Sequence, residues 1–238
     1  VRDRVAAHGA AVEPFFRSIT TATRVVSRQY PLALARALLA GDSYFVRKFR
    51  VRALERKLEE RLRSRDYELT VVDSAFTAVY LPLVRRFPSA GHVMVRLHNV
   101  EHEILERLAR DDRRPATRWL LRREARAFRE FELGVVREDV DVRAISARDA
   151  GILNDLTGRP VGVLEALIDA DRYPPADPED VEPHSIVTIG DYSWMPNRNG
   201  VHWFHQRVWP GVRERFPEAR WYVVGRNPSA GIRSLAGD

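Results

Sequence analysis

Apolar residues along this chain fall into short continuous runs, separated by longer stretches in which they recur every three or four positions. That is the pattern of buried strands alternating with amphipathic helices. Runs at 68–72 (ELTVV), 93–97 (VMVRL), 140–145 (VDVRAI), 161–167 (VGVLEAL), 186–189 (IVTI) and 221–225 (WYVVG) predict strands. Periodic stretches predict helices over 76–87, 101–109 and 115–135, and another from Val201 through Phe204, Val208 and Val212 to a stop at Phe216-Pro217. Upstream, Ala10 to Val12 reads as a short strand, and Pro31 starts a helix through Leu39. The strand cores are too continuous for a sheet with one wet face, so the fold class expected is α/β, with parallel sheets covered on both sides.

The pattern also divides the chain. Residues 168–185 (IDADRYPPADPEDVEPHS) form an acidic, proline-rich connector with little to bury. It separates a first unit, 1–167, from the start of a second, 186–238. The second opens with a β-turn-α-β unit in which Gly190 and Gly225 end successive strands, and Asn199-Gly200 is read as closing the intervening loop. Both glycines therefore stand on the carboxyl edge of a parallel sheet, where a ligand can approach the backbone closely.

Composition narrows the chemistry. The 238 residues suffice for one large or two modest domains with real cores. The absence of cysteine excludes a disulfide framework, a thiolate metal site and a thiol nucleophile. No run approaches the roughly 18 apolar residues of a membrane span. With no signal peptide before the first helix, a cytoplasmic protein is expected. The formal charge of +6 is concentrated over 47–65, where nine Lys or Arg face Glu55, Glu59 and Glu60 on what reads as one helix, with Phe49, Leu54, Leu58 and Leu62 inward. Its alternating charges fit a solvated surface face. The same helix also fits a peripheral contact with an anionic membrane. A nucleic-acid partner is not expected, because acids interleave with the bases and no basic-aromatic motif accompanies them.

His98 and Asn99 are the best chemical candidates of the first unit, standing where the 93–97 strand hands over to a helix at the sheet's carboxyl edge. Asn99 is expected to cap that helix, with Glu101 favoured in its first turn by the helix dipole. His98, Glu101 and His102 do not have HExxH spacing, and no further donor completes a zinc set. Glu124 and Glu132 lie eight apart in one helix, a rotation of about 80°, so they do not form an acid/base pair and are assigned to ion pairing and packing. Ser146, three residues before Asp149, predicts a helix start of capping-box type. A serine nucleophile lacks its GxSxG context. Trp194, Trp203 and Phe204 are assigned to packing rather than base stacking.

Several stretches, in order, resemble the retaining nucleotide-sugar glycosyltransferases of family 4, which have the two-domain GT-B fold. IGDYSWMPNRNGVHWF and WPGVRERFPEARWYVVGRNP resemble the opening of that family's carboxyl-terminal domain. LHNVEHEILERLA, EARAFREFE and AISARD are similar to landmarks of its amino-terminal domain. The resemblance implies two Rossmann-like units facing a cleft, the second incomplete here. It also implies that the glycine-rich loop after the family's first strand and the later acidic pair fall outside this chain.

The implied activity is transfer of a sugar, with retention, from a nucleotide-diphosphate donor to a carbohydrate or lipid-linked acceptor. This would serve cell-surface polysaccharide or glycolipid synthesis, from the cytoplasm or peripherally at the inner membrane face. By the same resemblance His98 contacts the reacting sugar in a positioning and electrostatic role. Where relatives carry an arginine and a lysine for the diphosphate, this chain has Tyr192, Asn197 and Arg198. Gly190, Asn197, Arg198, Gly225 and Arg226 are therefore the expected donor contacts, and no metal or other cofactor is expected. Relatives carry Asn-Gly-Val-Asp at the domain crossing, whereas this chain has Ala166-Leu167-Ile168-Asp169. That departure keeps a second expectation open, a non-catalytic binding or scaffold protein derived from the fold.

Overall fold

The computed structural model describes residues 37 and 40–236. The strand expected at Ala10 to Val12 and most of the helix expected from Pro31 lie outside them. The chain divides into two compact units, Val1–Leu167 and Ile168–Asp238.

Unit 1 is built on a parallel sheet in sequential order, β1 (Leu69–Asp73), β2 (His92–Leu97), β3 (Asp141–Ala144) and β4 (Gly162–Val163). Val72 pairs with Val95 and Val95 with Val142, so these three side chains share one face. That face is buried against Leu105, Phe128, Leu133, Val136 and Leu153, from helices α4 (Glu101–Asp111), α5 (Pro115–Arg137) and α6 (Ala147–Thr157).

The opposite face differs from expectation. Leu69 and Val71 are each 47% exposed, and the positions beside them carry His92, Asp141, Arg143, Arg96 and Asp73. Asp141 accepts from Arg143 at 2.7 Å and lies 3.5 Å from His92, which together hold its carboxyl below the ordinary range. These residues alternate strictly with Val142 and Ala144. The period-two signal was present, but hidden by the adjacent valines of β1.

Three other elements are shorter or more broken than their patterns predict. The 161–167 run forms only the two-residue β4, beside the last two residues of β3; that partner strand ends at Ala144, whose carbonyl accepts from the Leu164 amide at 2.8 Å. The 76–87 stretch is a 3₁₀ turn, Thr77–Tyr80, followed by α3 (Leu81–Val84), with Pro82 in the first turn of α3. The basic segment is two helices, α1 (Tyr44–Phe49) and α2 (Arg52–Ser64). The break between them is closed by the buried Tyr80, whose hydroxyl accepts from the Val51 amide at 2.8 Å and donates to the Phe49 carbonyl at 2.5 Å. Of the expected inward residues only Leu62 is fully buried.

Unit 2 begins with an exposed connector bearing two 3₁₀ turns, Ala170–Arg172 and Pro178–Asp180. It then forms a parallel pair, β5 (Ser185–Asp191) and β6 (Arg220–Arg226). One face packs Trp221 on Phe204 and Trp209, with ring centroids 4.7 and 5.8 Å apart. The other exposes Val187, Ile189, Tyr222 and Val224. The helix predicted from Val201 starts six residues earlier, as α7 (Met195–Arg207), with Pro196 in its first turn. It breaks at Val208, where Pro210 opens α8 (Trp209–Arg215). A short α9 (Ala230–Arg233) buries Ile232 against Tyr192 and Val201.

Gly225 pairs with Gly190 across this sheet at φ +149°, and a Cβ built on it would stand 1.8 Å from the Gly190 carbonyl oxygen. Gly225→Ala is therefore expected to destabilise unit 2 by about 3 kcal/mol or more, from backbone strain and overlap together. Gly200→Ala, at a helical position with open space around it, should instead stabilise by up to about 1 kcal/mol. Urea unfolding followed by tryptophan fluorescence distinguishes the two. Equal stabilities would refute the contact.

Candidate functional site

The carboxyl edge of the unit 1 sheet gathers Asp73 from β1 with Arg96 and His98 from β2 and the residue following its end. The His98 imidazole lies with Nε2 2.7 Å from Asp73 Oδ1, and the Arg96 guanidinium is 3.4 Å from the same oxygen. A carboxylate only accepts, so Nε2 carries hydrogen and Nδ1 is the nitrogen left for another partner. Both side chains are exposed, His98 at 40% and Asp73 at 52%. Ser74, directly after the strand, has φ +101°, an uncommon conformation for a residue with a side chain. Its amide donates to the Arg96 carbonyl at 2.8 Å. Asp73 went unnoticed in the sequence as a site residue. The available signal was an Asp-Ser pair ending the strand next to the one that delivers His98.

Asn99 does not cap the following helix. The N-cap is Val100, without a side-chain bond, and the Asn99 carboxamide donates to Glu101 Oε1 at 3.1 Å. The first amides of α4 are instead met by Glu132, a fully buried carboxylate from the middle of α5. Glu132 accepts from the Glu101 amide at 2.9 Å, the His102 amide at 3.4 Å and His102 Nδ1 at 2.6 Å. Glu101 is itself buried, and this burial raises its pKa. His98, Glu101 and His102 thus turn to three different partners, and no cluster of metal-ligating side chains occurs among the described residues.

Glu124, eight residues before Glu132, serves a second helix in the same way. It accepts from the Ser43 hydroxyl and from the Phe45 amide at 3.1 Å, while Ser43 Oγ accepts from the Val46 amide and caps α1. Its other oxygen lies 3.6 Å from the Arg123 guanidinium and has no hydrogen-bond partner among the described residues. Ion pairing and packing are expected of the two glutamates; they have ion-pair contacts with His102 and Arg123 and also hold helix N-termini. Ser146 accepts from the Asp149 amide at 3.1 Å and starts α6 at the same sheet edge.

In unit 2 the expected donor contacts divide. The residues expected to form a loop above Gly190 are already helical from Met195, Asn199 and Gly200 included. Asn197 donates to the Asp191 carbonyl at 3.0 Å, and its Nδ2 lies 3.1 Å from where a Gly190 Cβ would sit. The side of Gly190 thought open to a ligand is filled by the protein itself. Gly225 is closed against Gly190.

Tyr192 is buried, its hydroxyl 3.1 Å from the carbonyls of Thr188 and Val224. Arg226 reaches Asp191 at 3.4 Å, and Arg198 has no carboxylate partner among the described residues. Trp194 and Trp203 are 48% and 60% exposed, against the packing role expected of them, while Phe204 does pack. Hydrogen bonds from the Ser193 hydroxyl and amide and from Asn227 hold the Asp191 pKa at about 2.

Comparison of the chain with protein-family models, with curated proteins and with solved structures finds no match.

Two outcomes are expected. Glu132→Ala strands the α4 amides and the His102 ring, and should cost about 3–5 kcal/mol in chemical denaturation, with Glu132→Gln losing less because one acceptor remains. A loss below 1 kcal/mol for the alanine variant would remove Glu132 from this role. The depressed Asp191 pKa means that the unfolded chain binds the proton first. Stability contributed by Asp191 is therefore present above the ordinary value of 3.8 and disappears as pH falls toward about 2. Asp191→Asn should flatten that acid limb in unit 2 melting curves, and an unchanged limb would contradict the assignment.

Proposed function

We propose that this protein is a retaining glycosyltransferase of GT-B type, moving a sugar from a nucleotide-diphosphate donor to a carbohydrate or lipid-linked acceptor. The observation that carries the reading is the exposed His98 imidazole at the carboxyl edge of a parallel sheet, anchored through one nitrogen by Asp73. Open α/β sheets bind ligands at that edge. The sequence landmarks around His98 add the sugar-transfer chemistry to that edge, and those after β5 support a donor-binding role for unit 2.

In this reading the free Nδ1 of His98 meets a sugar hydroxyl, and the imidazole supports the anomeric carbon as positive charge develops there. The departing phosphate receives the acceptor's proton, so no side chain is required as base. Asn99 keeps its carbonyl oxygen available beside His98, its amide nitrogen being held by Glu101. Diphosphate binding falls to Arg198, with Arg226 second because Asp191 already draws on its charge.

One observation favours the alternative of a binding protein without turnover. Asn197 occupies the approach to Gly190, and the Asp191 carboxylate would repel a diphosphate placed there.

A single series separates the two. The protein is incubated with a panel of nucleotide-diphosphate sugars together with carbohydrate and lipid-linked acceptors, and both donor binding and acceptor-dependent release of free nucleotide are measured. Transfer predicts release, reduced about 100-fold by His98→Ala, with a melting temperature close to that of the parent protein. Binding without release selects the alternative. Absence of both for every donor, or equal losses of activity and stability in His98→Ala, would defeat the transfer reading.

A further inference from the structure

Helices α1, α2 and α3 and the Thr77–Tyr80 turn border two adjoining surface cavities of 530 and 830 Å³, which share Arg50, Arg52, Glu55, Val79 and Pro82 in their walls. The charges around them are unequally matched. Arg50 holds Glu55 at 2.7 Å, Arg86 holds Glu59 at 3.1 Å and Arg47 holds Asp42 at 2.5 Å, while Glu130 lies 3.7 Å from Arg129. Arg52 and Arg56 line the smaller cavity without a carboxylate partner among the described residues. They are four apart on α2 and therefore neighbours on one helix face.

The wall opposite is aliphatic, made of Val79, Pro82 and Leu83; among the described residues no aromatic ring lines the smaller cavity, and Phe131 borders only the larger. A single-stranded nucleic acid would find cations there but no stacking platform. A free phosphate would leave the aliphatic wall unused. The ligand that uses both features has an anionic head and a hydrocarbon portion joined to it.

We propose that this groove binds an anionic phospholipid of a membrane surface, Arg52 and Arg56 taking the phosphate while Val79, Pro82 and Leu83 meet the glyceryl and proximal acyl carbons. Guanidinium matches phosphate in charge and in its forked geometry. Neighbouring cations already neutralised by Glu55 and Glu59 confine the attraction to one place. The proposal is independent of the sugar-transfer reading, since the groove is lined by none of the residues assigned to donor or acceptor.

The test is flotation of the intact chain with vesicles of phosphatidylglycerol or of phosphatidylcholine, at low and high salt. Binding is expected to phosphatidylglycerol alone and to weaken as salt screens it. Arg52→Ala/Arg56→Ala should lower the partition coefficient about 30-fold, roughly fivefold for each arginine. A control removing equal charge elsewhere, Arg110→Ala/Arg122→Ala, should lower it far less, with circular dichroism showing both variants folded.

Equal loss in the control would reduce the groove to general electrostatics and overturn the site. Lack of binding to phosphatidylglycerol would overturn it outright. Full competition by inorganic phosphate would assign the site to a soluble anion, and competition by an oligonucleotide would assign it to nucleic acid. Either result defeats the lipid assignment.

Discussion

The buried carboxylate of Glu132 is the constraint on which unit 1 turns. A charge removed from water needs its full set of partners, and here they are the Glu101 and His102 amides and the His102 ring. Those amides are groups that every helix start leaves unpaired. One unfavourable feature therefore satisfies another, and α4 is fixed relative to α5. The segment from His98 to Val100 is the only chain between β2 and α4, so its placement follows. Glu124 repeats the arrangement one stretch earlier and holds Ser43 and the start of α1. The long helix α5 thereby docks two other helices by their amino ends while its apolar face covers the sheet.

The two sheets handle their second face differently. In unit 1 it is a lattice of paired charges, Asp141 with Arg143 and Asp73 with Arg96 and His98, into which Leu69 and Val71 intrude as exposed apolar residues. In unit 2 it is apolar and exposed, with Ile189 at 80%. Parallel sheets are ordinarily covered on both faces. Ionic pairing gives unit 1 a face compatible with water, whereas the second face of unit 2 has no such pairing between Val187, Ile189, Tyr222 and Val224.

Chemistry at the strand tips follows from which polar groups are already committed. His102 and Asn99 bond to buried carboxylates, and Asn197 and Gly225 close the tip of the unit 2 sheet upon itself. Among these polar groups, unit 1 keeps available one imidazole nitrogen on His98 and the carbonyl oxygen of Asn99, and unit 2 the guanidinium of Arg198. The sugar-transfer proposal rests on those groups, and its alternative gains weight from the closed backbone at Gly190.

Much of this architecture was legible in the sequence. Alternating run types announced α/β parallel sheets, and His98, His102 and Ser146 could be placed beside strand ends by counting. Angular arithmetic put Glu124 and Glu132 on different sides of α5, and each has its own set of partners. Local patterns could not give the partners of those glutamates, because their hydrogen bonds join residues 30 and more positions apart. For the same reason the Asp73–His98 contact stayed hidden: the two meet only because β1 and β2 lie side by side in register. The break after Phe49 was also decided at a distance, by the Tyr80 hydroxyl, whereas the true start of α7 carried a local signal, Pro196 in its first turn. Periodicity reports which side of an element avoids water, and that is a local property of the chain. Which polar atom meets which depends on the packed arrangement, and only the tertiary structure supplies it.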